Sequence, residues 1–174
     1  NISDHIIIDK TKVPIKTLID STPQLQTVAR NTCADLSCGD TVSFFDVDDI
    51  PHPQKIEAIQ YYFNNYDFVV HSYKRDMSNF DLFDVANMKR TDQIRNNPSP
   101  QSTNLQVIPE RPITHGHLTV DKKIFETLRY DENFYFTMPN GQKKCNGEDG
   151  RFCQELINRK FRGIFLDEPL IIYT

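Results

Sequence analysis

Three carboxylates, Asp46, Asp48 and Asp49, crowd four consecutive positions of FFDVDDI, directly after an apolar run. At an effective dielectric of about 20, each like-charged pair about 5 Å apart costs roughly 3 kcal/mol, so the cluster calls for a cation or a proton. Oxygen donors without a companion set of thiols or imidazoles suit Mg²⁺ or Mn²⁺. The plainer reading is a solvated acidic turn capping the next helix, where negative charge gains about 0.3–1 kcal/mol. One aspartate meets that need; three do not follow from it.

A second acidic pair, Glu148 and Asp149, opens a helix after the glycine-containing stretch 140–147. Taken alone, such a pair is what the positive end of a helix attracts. Lys74 and Arg75 follow a strand end and could meet a diphosphate, although solvated charge is the simpler account. His115 and His117 alternate along a strand and share one of its faces. Phe134, Tyr135 and Phe136 offer a platform for a sugar face if one is exposed while the others fill a core.

The elements that must position these groups follow from periodicity. HIIID (5–9) reads as a buried strand ending at Asp9, and Ser21-Thr22-Pro23 opens a helix running toward Leu36. Thr41–Phe45 is a strand delivering the acidic cluster. Pro51 and Pro53 permit a helix start, with Ile56, Ile59, Tyr62 and Phe63 on its core face. Phe68–Tyr73 is a third strand, and the polar, proline-dotted stretch from Asp76 to Pro112, with NNPSPQSTN at its centre, should be mostly loop. Ile113–Val120 is a strand, Asp121–Leu128 a short helix, and Gly150–Lys160 a helix with Phe152, Leu156 and Ile157 inward; Gly163–Leu166 and Leu170–Tyr173 are closing strands. Strands alternating with helices predict an α/β fold with three layers, α/β/α, around a mostly parallel sheet. Such sheets bind ligands beyond the carboxyl ends of their strands, where the acidic cluster falls.

Composition bounds the function. With 174 residues, one domain spanning 1–174 is the default, and it can bury roughly 70% of its unfolded surface. A net charge of −4 and a pI near 5.7 argue against a nucleic-acid partner, which would need clustered Lys and Arg. No apolar run approaches the roughly 20 residues of a membrane span, and no signal peptide is visible. Cys33, Cys38, Cys145 and Cys153 lack the close pairs of zinc sites and read as reduced thiols, so a soluble cytoplasmic protein is expected. The chain begins with Asn, which suggests that an upstream segment has been removed.

The flanking residues become informative together. VARNTCADLSCGDTVSFFDVDDIPHPQKIEA resembles the segment of family 2-like GT-A glycosyltransferases in which an Ala-Arg-Asn helix and a Gly-Asp turn precede an apolar strand ending in the DxD motif. HGHLTVDKKIFETLRYDENF is similar to their strand, short helix and acidic turn, and GEDGRFCQELINRKFRGIFLDEPLIIY to their Glu-Asp helix start and final strands. The resemblance implies a GT-A fold and a metal-dependent glycosyltransferase that moves a sugar from a nucleotide-diphosphate donor, UDP-sugar favoured, to a hydroxyl of a glycan or protein-linked acceptor. It implies donor contacts at Asp9, Arg30, Asp46, Val47, Asp48 and Gly116, with Mn²⁺ or Mg²⁺ on Asp48, Asp46 and Asp49. Asp149 becomes the general base, with Glu148 as the alternative, and a single base opposite the leaving group predicts inversion. Arg30 and Asn31 otherwise anchor their helix against the sheet, and His115 or His117 could add a metal ligand, as a histidine does in some relatives.

The chain departs from the family in three ways. The interval between HIIID and Ala-Arg-Asn is short, so the base-binding half is partly missing or altered; the QxxRW motif of processive synthases is absent, favouring single transfers; and Asp76–Pro112 has no counterpart. Two other readings stay open at this level: a haloacid dehalogenase-like phosphatase, whose nucleophilic aspartate also ends an apolar strand, and a non-catalytic module that binds nucleotide sugars.

Overall fold

The computed structural model describes residues 25–91, 94–96, 105–107, 117–145 and 147–174. The expected strand at HIIID with Asp9, the helix-opening residues 21–23, His115 and Gly116 lie outside them. Among the described residues there are three α-helices: α1 (Gln26–Leu36), α2 (Lys55–Phe63) and α3 (Glu148–Asn158). The strands are β1 (Thr41–Ser43), β2 (Ile50–Pro51), β3 (Phe68–Lys74), β4 (Arg90–Thr91), β5 (Ile94–Asn96), β6 (Leu105–Val107), β7 (Leu118–Asp121), β8 (Phe136–Thr137), β9 (Lys143–Lys144) and β10 (Gly163–Ile172).

The main sheet runs β1-β7-β3-β10-β2, with β4 also on β10; β5-β6 and β8-β9 form separate pairs. It is a mixed sheet rather than the mostly parallel one expected, because among the described residues only β3 and β10 pair in parallel. The cause is local. β7 runs antiparallel to both β1 and β3 and is wedged between them. β1, β3 and β10 therefore still point the same way, and their carboxyl ends share one rim.

Alternation along the strands builds a core on each face of the sheet. Phe68 and Val70 of β3 join Val42, Leu118, Val120 and Phe165 beneath α1 and α3, which add Ala34, Phe152 and Leu156. Val69 points the other way, with Ile164, Leu166 and Leu170, beneath Ala58, Ile59 and Tyr62 of α2. Helices thus cover both faces, as the α/β pattern requires. Ile59 and Tyr62 of α2 are in the core as expected and Phe63 packs against it, but Ile56 is 60% exposed, and Lys55 and Ala58 complete the buried face. The prolines lie in β2 and the turn, so the helix starts at Lys55 and its inward face is the i, i+3, i+4, i+7 set counted from there.

Two expected closing strands are one. Pro169 lacks an amide hydrogen and reads as a break, yet β10 continues through it with register shifts against β3 on either side. The expected helix at 121–128 is a 3-10 turn, Lys122–Glu126, capped by the Asp121 side chain.

Candidate active site

The acidic cluster is the loop joining β1 to β2, at the rim where β1, β3 and β10 end. The Asp49 amide donates to the Asp46 carbonyl at 3.1 Å, which closes the loop into a turn. The Thr174 hydroxyl, just past β10, donates to the Asp48 carbonyl at 2.6 Å. This turn sorts the side chains: Val47 is 77% exposed and Asp48 exposed, Asp46 is half-buried, and Asp49 is 6% exposed. Neither Asp49 carboxylate oxygen has a hydrogen-bond partner in good geometry. Burial is the main reason its pKa is raised, and Asp46 and Asp48 push the same way; the Thr174 backbone and the Lys55 ammonium pull against them without prevailing.

Lys55, unremarked in the sequence, is the buried cation of this neighbourhood. It opens α2, its ammonium lies 5.0 Å from the centre of the Phe45 ring, and burial lowers its pKa to about 8 against the pull of Asp49. In the middle of β3, His71 is buried with Nδ1 2.8 Å from the Ser72 carbonyl and its ring 5.4 Å from that of His117. Burial, Lys55 and His117 all hold His71 in the neutral form. Tyr73 stacks on His117 at 4.7 Å. Arg75 lies over Tyr73 and Tyr173, and the Lys74 ammonium is held by Ser78 and Asn79.

The residues fit a hard dication by donor chemistry: oxygen ligands on one turn, one of them a buried carboxylate with no partner. Among the described residues, no group of three or more His, Cys, Asp or Glu side chains converges on a point that could hold a metal. Mg²⁺-type sites need no such cage, since one or two carboxylates plus substrate phosphates and waters suffice.

Glu148 and Asp149 do start α3. Gly147, at φ 81°, occupies the left-handed region that lets the chain turn into the helix. Their surroundings differ. Glu148 is 6% exposed and accepts from Arg30 at 2.6 Å, whereas Asp149 is half-buried and its Oδ1 accepts from the Gly150 amide at 2.8 Å. Arg30 and Asn31 therefore anchor α1 to α3 and to the segment at 130–132 rather than to a strand. Asn31 accepts from the Tyr130 amide at 3.0 Å, donates to the Tyr130 carbonyl at 2.9 Å and donates to Glu132 at 2.8 Å. The Tyr130 ring sits 4.3 Å from Phe152 and 5.6 Å from Phe44, two residues before Asp46. One aromatic side chain thus joins the acidic turn's strand to the start of α3.

Of the three aromatics at 134–136, Phe134 is half-buried under Arg151, while Tyr135 and Phe136 are exposed on the β8-β9 hairpin. A cavity of about 410 Å³ lined by Asp35, Asp40, Asp121, Lys122 and Arg129 opens at the amino end of β1, the wrong rim for the acidic turn. All four cysteines are free thiols, and among the described residues no helix is long and apolar enough to cross a membrane.

No curated protein matches the chain. The family model for glycosyl transferase family 2 matches residues 8–129, more than half of the chain. The match takes in Asp9, Arg30, the acidic turn and Gly116 and stops before Glu148 and Asp149. It leaves the phosphatase reading without support. DxDD on the loop that follows β1, at the rim shared by three strand ends, agrees with a match of this extent, which places the chain in glycosyl transferase family 2, and it is a glycosyltransferase.

Proposed function

We propose that the chain carries the GT-A fold and uses Mn²⁺ or Mg²⁺ to transfer a single sugar, with inversion, from a nucleotide-diphosphate donor, UDP-sugar favoured, to a hydroxyl on a glycan or protein-linked acceptor. The observation that carries this reading is the buried, unpartnered carboxylate of Asp49 between Asp46 and Asp48, at the rim where three co-directed strands end. A buried charge without a partner is costly, and a dication brought by a diphosphate relieves it.

Asp48 and Asp46 would hold the ion, with Asp49 as a further ligand or as the group that orients them. The ion supplies charge neutralisation for the leaving diphosphate. Asp46 and the Val47 backbone face the ribose side of the donor; Asp9 and Gly116 are assigned to donor contact from the family resemblance. Asp149 accepts the proton of the acceptor hydroxyl as its oxygen bonds to the anomeric carbon and the carbon–oxygen bond to the diphosphate breaks. Glu148, occupied by Arg30, holds the helix start in place. Donor phosphates falling to Arg30 would first have to break that pair.

Incubation with Mn²⁺ and a panel of UDP- and GDP-sugars tests the proposal. Slow release of nucleoside diphosphate, stopped by EDTA and weakened by Asp48→Ala, is expected. Release of inorganic phosphate would favour a phosphatase, and donor binding without turnover a non-catalytic module.

A further inference from the structure

The charges of the proposed donor site do not balance with the ion alone. Asp46, Asp48 and Asp49 meet a diphosphate that is itself an anion, and one dication offsets only part of their sum. The deficit then grows: the electron pair of the breaking bond to the anomeric carbon stays on the phosphate oxygen, and the leaving group gains a negative charge. A further cation is called for at this rim.

The cations nearby are not equally placed to answer. Arg30 is paired with Glu148 at 2.6 Å. Lys55 is 4% exposed, beneath the turn rather than open to a ligand. The Lys74 ammonium has three N–H groups and three oxygens to take them: the Ser78 carbonyl at 2.8 Å, the Ser78 hydroxyl at 2.9 Å and the Asn79 carbonyl at 2.8 Å.

Arg75 differs from all of these. It is exposed, and its guanidinium lies 5.8 Å from the centre of the Tyr73 ring and 5.6 Å from that of Tyr173, two rings that meet edge to face 5.6 Å apart. Among the described residues no carboxylate pairs with it. The rings hold the cation without supplying an oxygen, so its planar N–H fork keeps its capacity for an anion. The same bracket fixes where the fork stands. The Tyr173 amide donates to the Lys74 carbonyl at 2.8 Å, and one residue along, the Thr174 hydroxyl donates to the Asp48 carbonyl at 2.6 Å. Arg75 is thereby tied to the acidic turn through Tyr173 and Thr174.

We propose that Arg75, seated on Tyr73 and Tyr173, binds the diphosphate of the sugar donor and stabilises it as the leaving group. A guanidinium fork can give one phosphate two parallel hydrogen bonds, which a lysine cannot. The inference rests on the acidic turn being the donor's cation site.

Calorimetric titration of the full chain with UDP and with GDP in the presence of Mn²⁺ tests it, alongside thermal melting. Arg75→Met should melt as the wild type does, because the side chain is exposed, and should bind the preferred nucleoside diphosphate about tenfold more weakly. Lys123→Met removes the same charge from an exposed position beside the cavity at the opposite rim and should bind as the wild type does. Wild-type affinity in Arg75→Met would overturn the inference and spare the donor site. Equal weakening by Lys123→Met would overturn it too, since only net charge would then be felt. No binding of either nucleotide to the wild type would overturn the donor reading and this inference with it.

Discussion

Around Tyr130 the buried charges and amides answer one another: Glu148 has Arg30, and Asn31 holds both the amide and the carbonyl of Tyr130. At the acidic turn the reverse holds. Asp49 is buried with two partnerless oxygens, and its neighbours along the chain carry the same charge. The two regions are tied through Phe44, so the contrast is not one of distance or order. It separates a region whose buried charges the fold pairs by itself, where only the neutral Tyr130 hydroxyl lacks a partner, from one whose buried carboxylate oxygens lack hydrogen-bond partners. On the proposed reading, the helix start that carries the base gains from being held before substrate arrives, whereas a cation site must bind and release its ion with the donor.

The sharpest way to break this contrast is to remove the charge that makes the Tyr130 region self-sufficient. Arg30→Met strands Glu148 in the interior and should cost about 3–5 kcal/mol in urea unfolding. An unchanged midpoint would mean that Glu148 is solvated and the region is not closed. Asn31→Ala deletes two hydrogen bonds to the Tyr130 backbone and one to Glu132, with an expected loss of about 2–3 kcal/mol by the same measurement.

The smallest effect has the opposite sign. Asp49→Asn removes a buried carboxylate that the Thr174 backbone and the Lys55 ammonium offset only in part, and should stabilise the metal-free protein by about 1 kcal/mol while shrinking the rise in melting temperature that Mn²⁺ with UDP produces. Because burial raises the Asp49 pKa above 3.8, the folded protein keeps a proton that the unfolded chain has released. Metal-free stability should then fall as pH rises through that window, and this slope should flatten in Asp49→Asn. A destabilised Asp49→Asn would place Asp49 among groups the fold already satisfies.

The legibility of the two regions in the sequence follows the same division. FFDVDDI declares itself locally, since three like charges after an apolar run need no partner elsewhere to look anomalous. Tyr130 was invisible, because what marks its surroundings is long-range: Arg30 meets Glu148 across 118 positions and Asn31 meets Tyr130 across 99. Lys55, whose partners Phe45 and Asp49 lie close in sequence, was missed because a lysine beside a helix start reads as solvated. Local periodicity located α1, α2, β3 and α3 to within a few residues. It failed at the closing strands, expected as two and observed as one that passes Pro169 by shifting register, and at the start of α2, which lies at Lys55 beyond Pro51 and Pro53 and leaves Ile56 outward. The direction of β7 was beyond it altogether, since alternation of apolar residues is the same whichever way a strand runs.

That reversed strand has an architectural consequence. β3 ends at Lys74 and its antiparallel neighbour β7 begins at Leu118, so both points lie on the same rim as the acidic turn, and between them the chain returns to the sheet as β4 on β10. Among the described residues of the span between them, Val85 and Met88 are buried with Ala58, Ile59 and Tyr62 of α2, and β4 is bound to β10, so this part is fixed to the fold. The inverted β7 thus brings the start and the end of the excursion to the rim that carries the aspartates while the β1-β7-β3 ladder stays continuous.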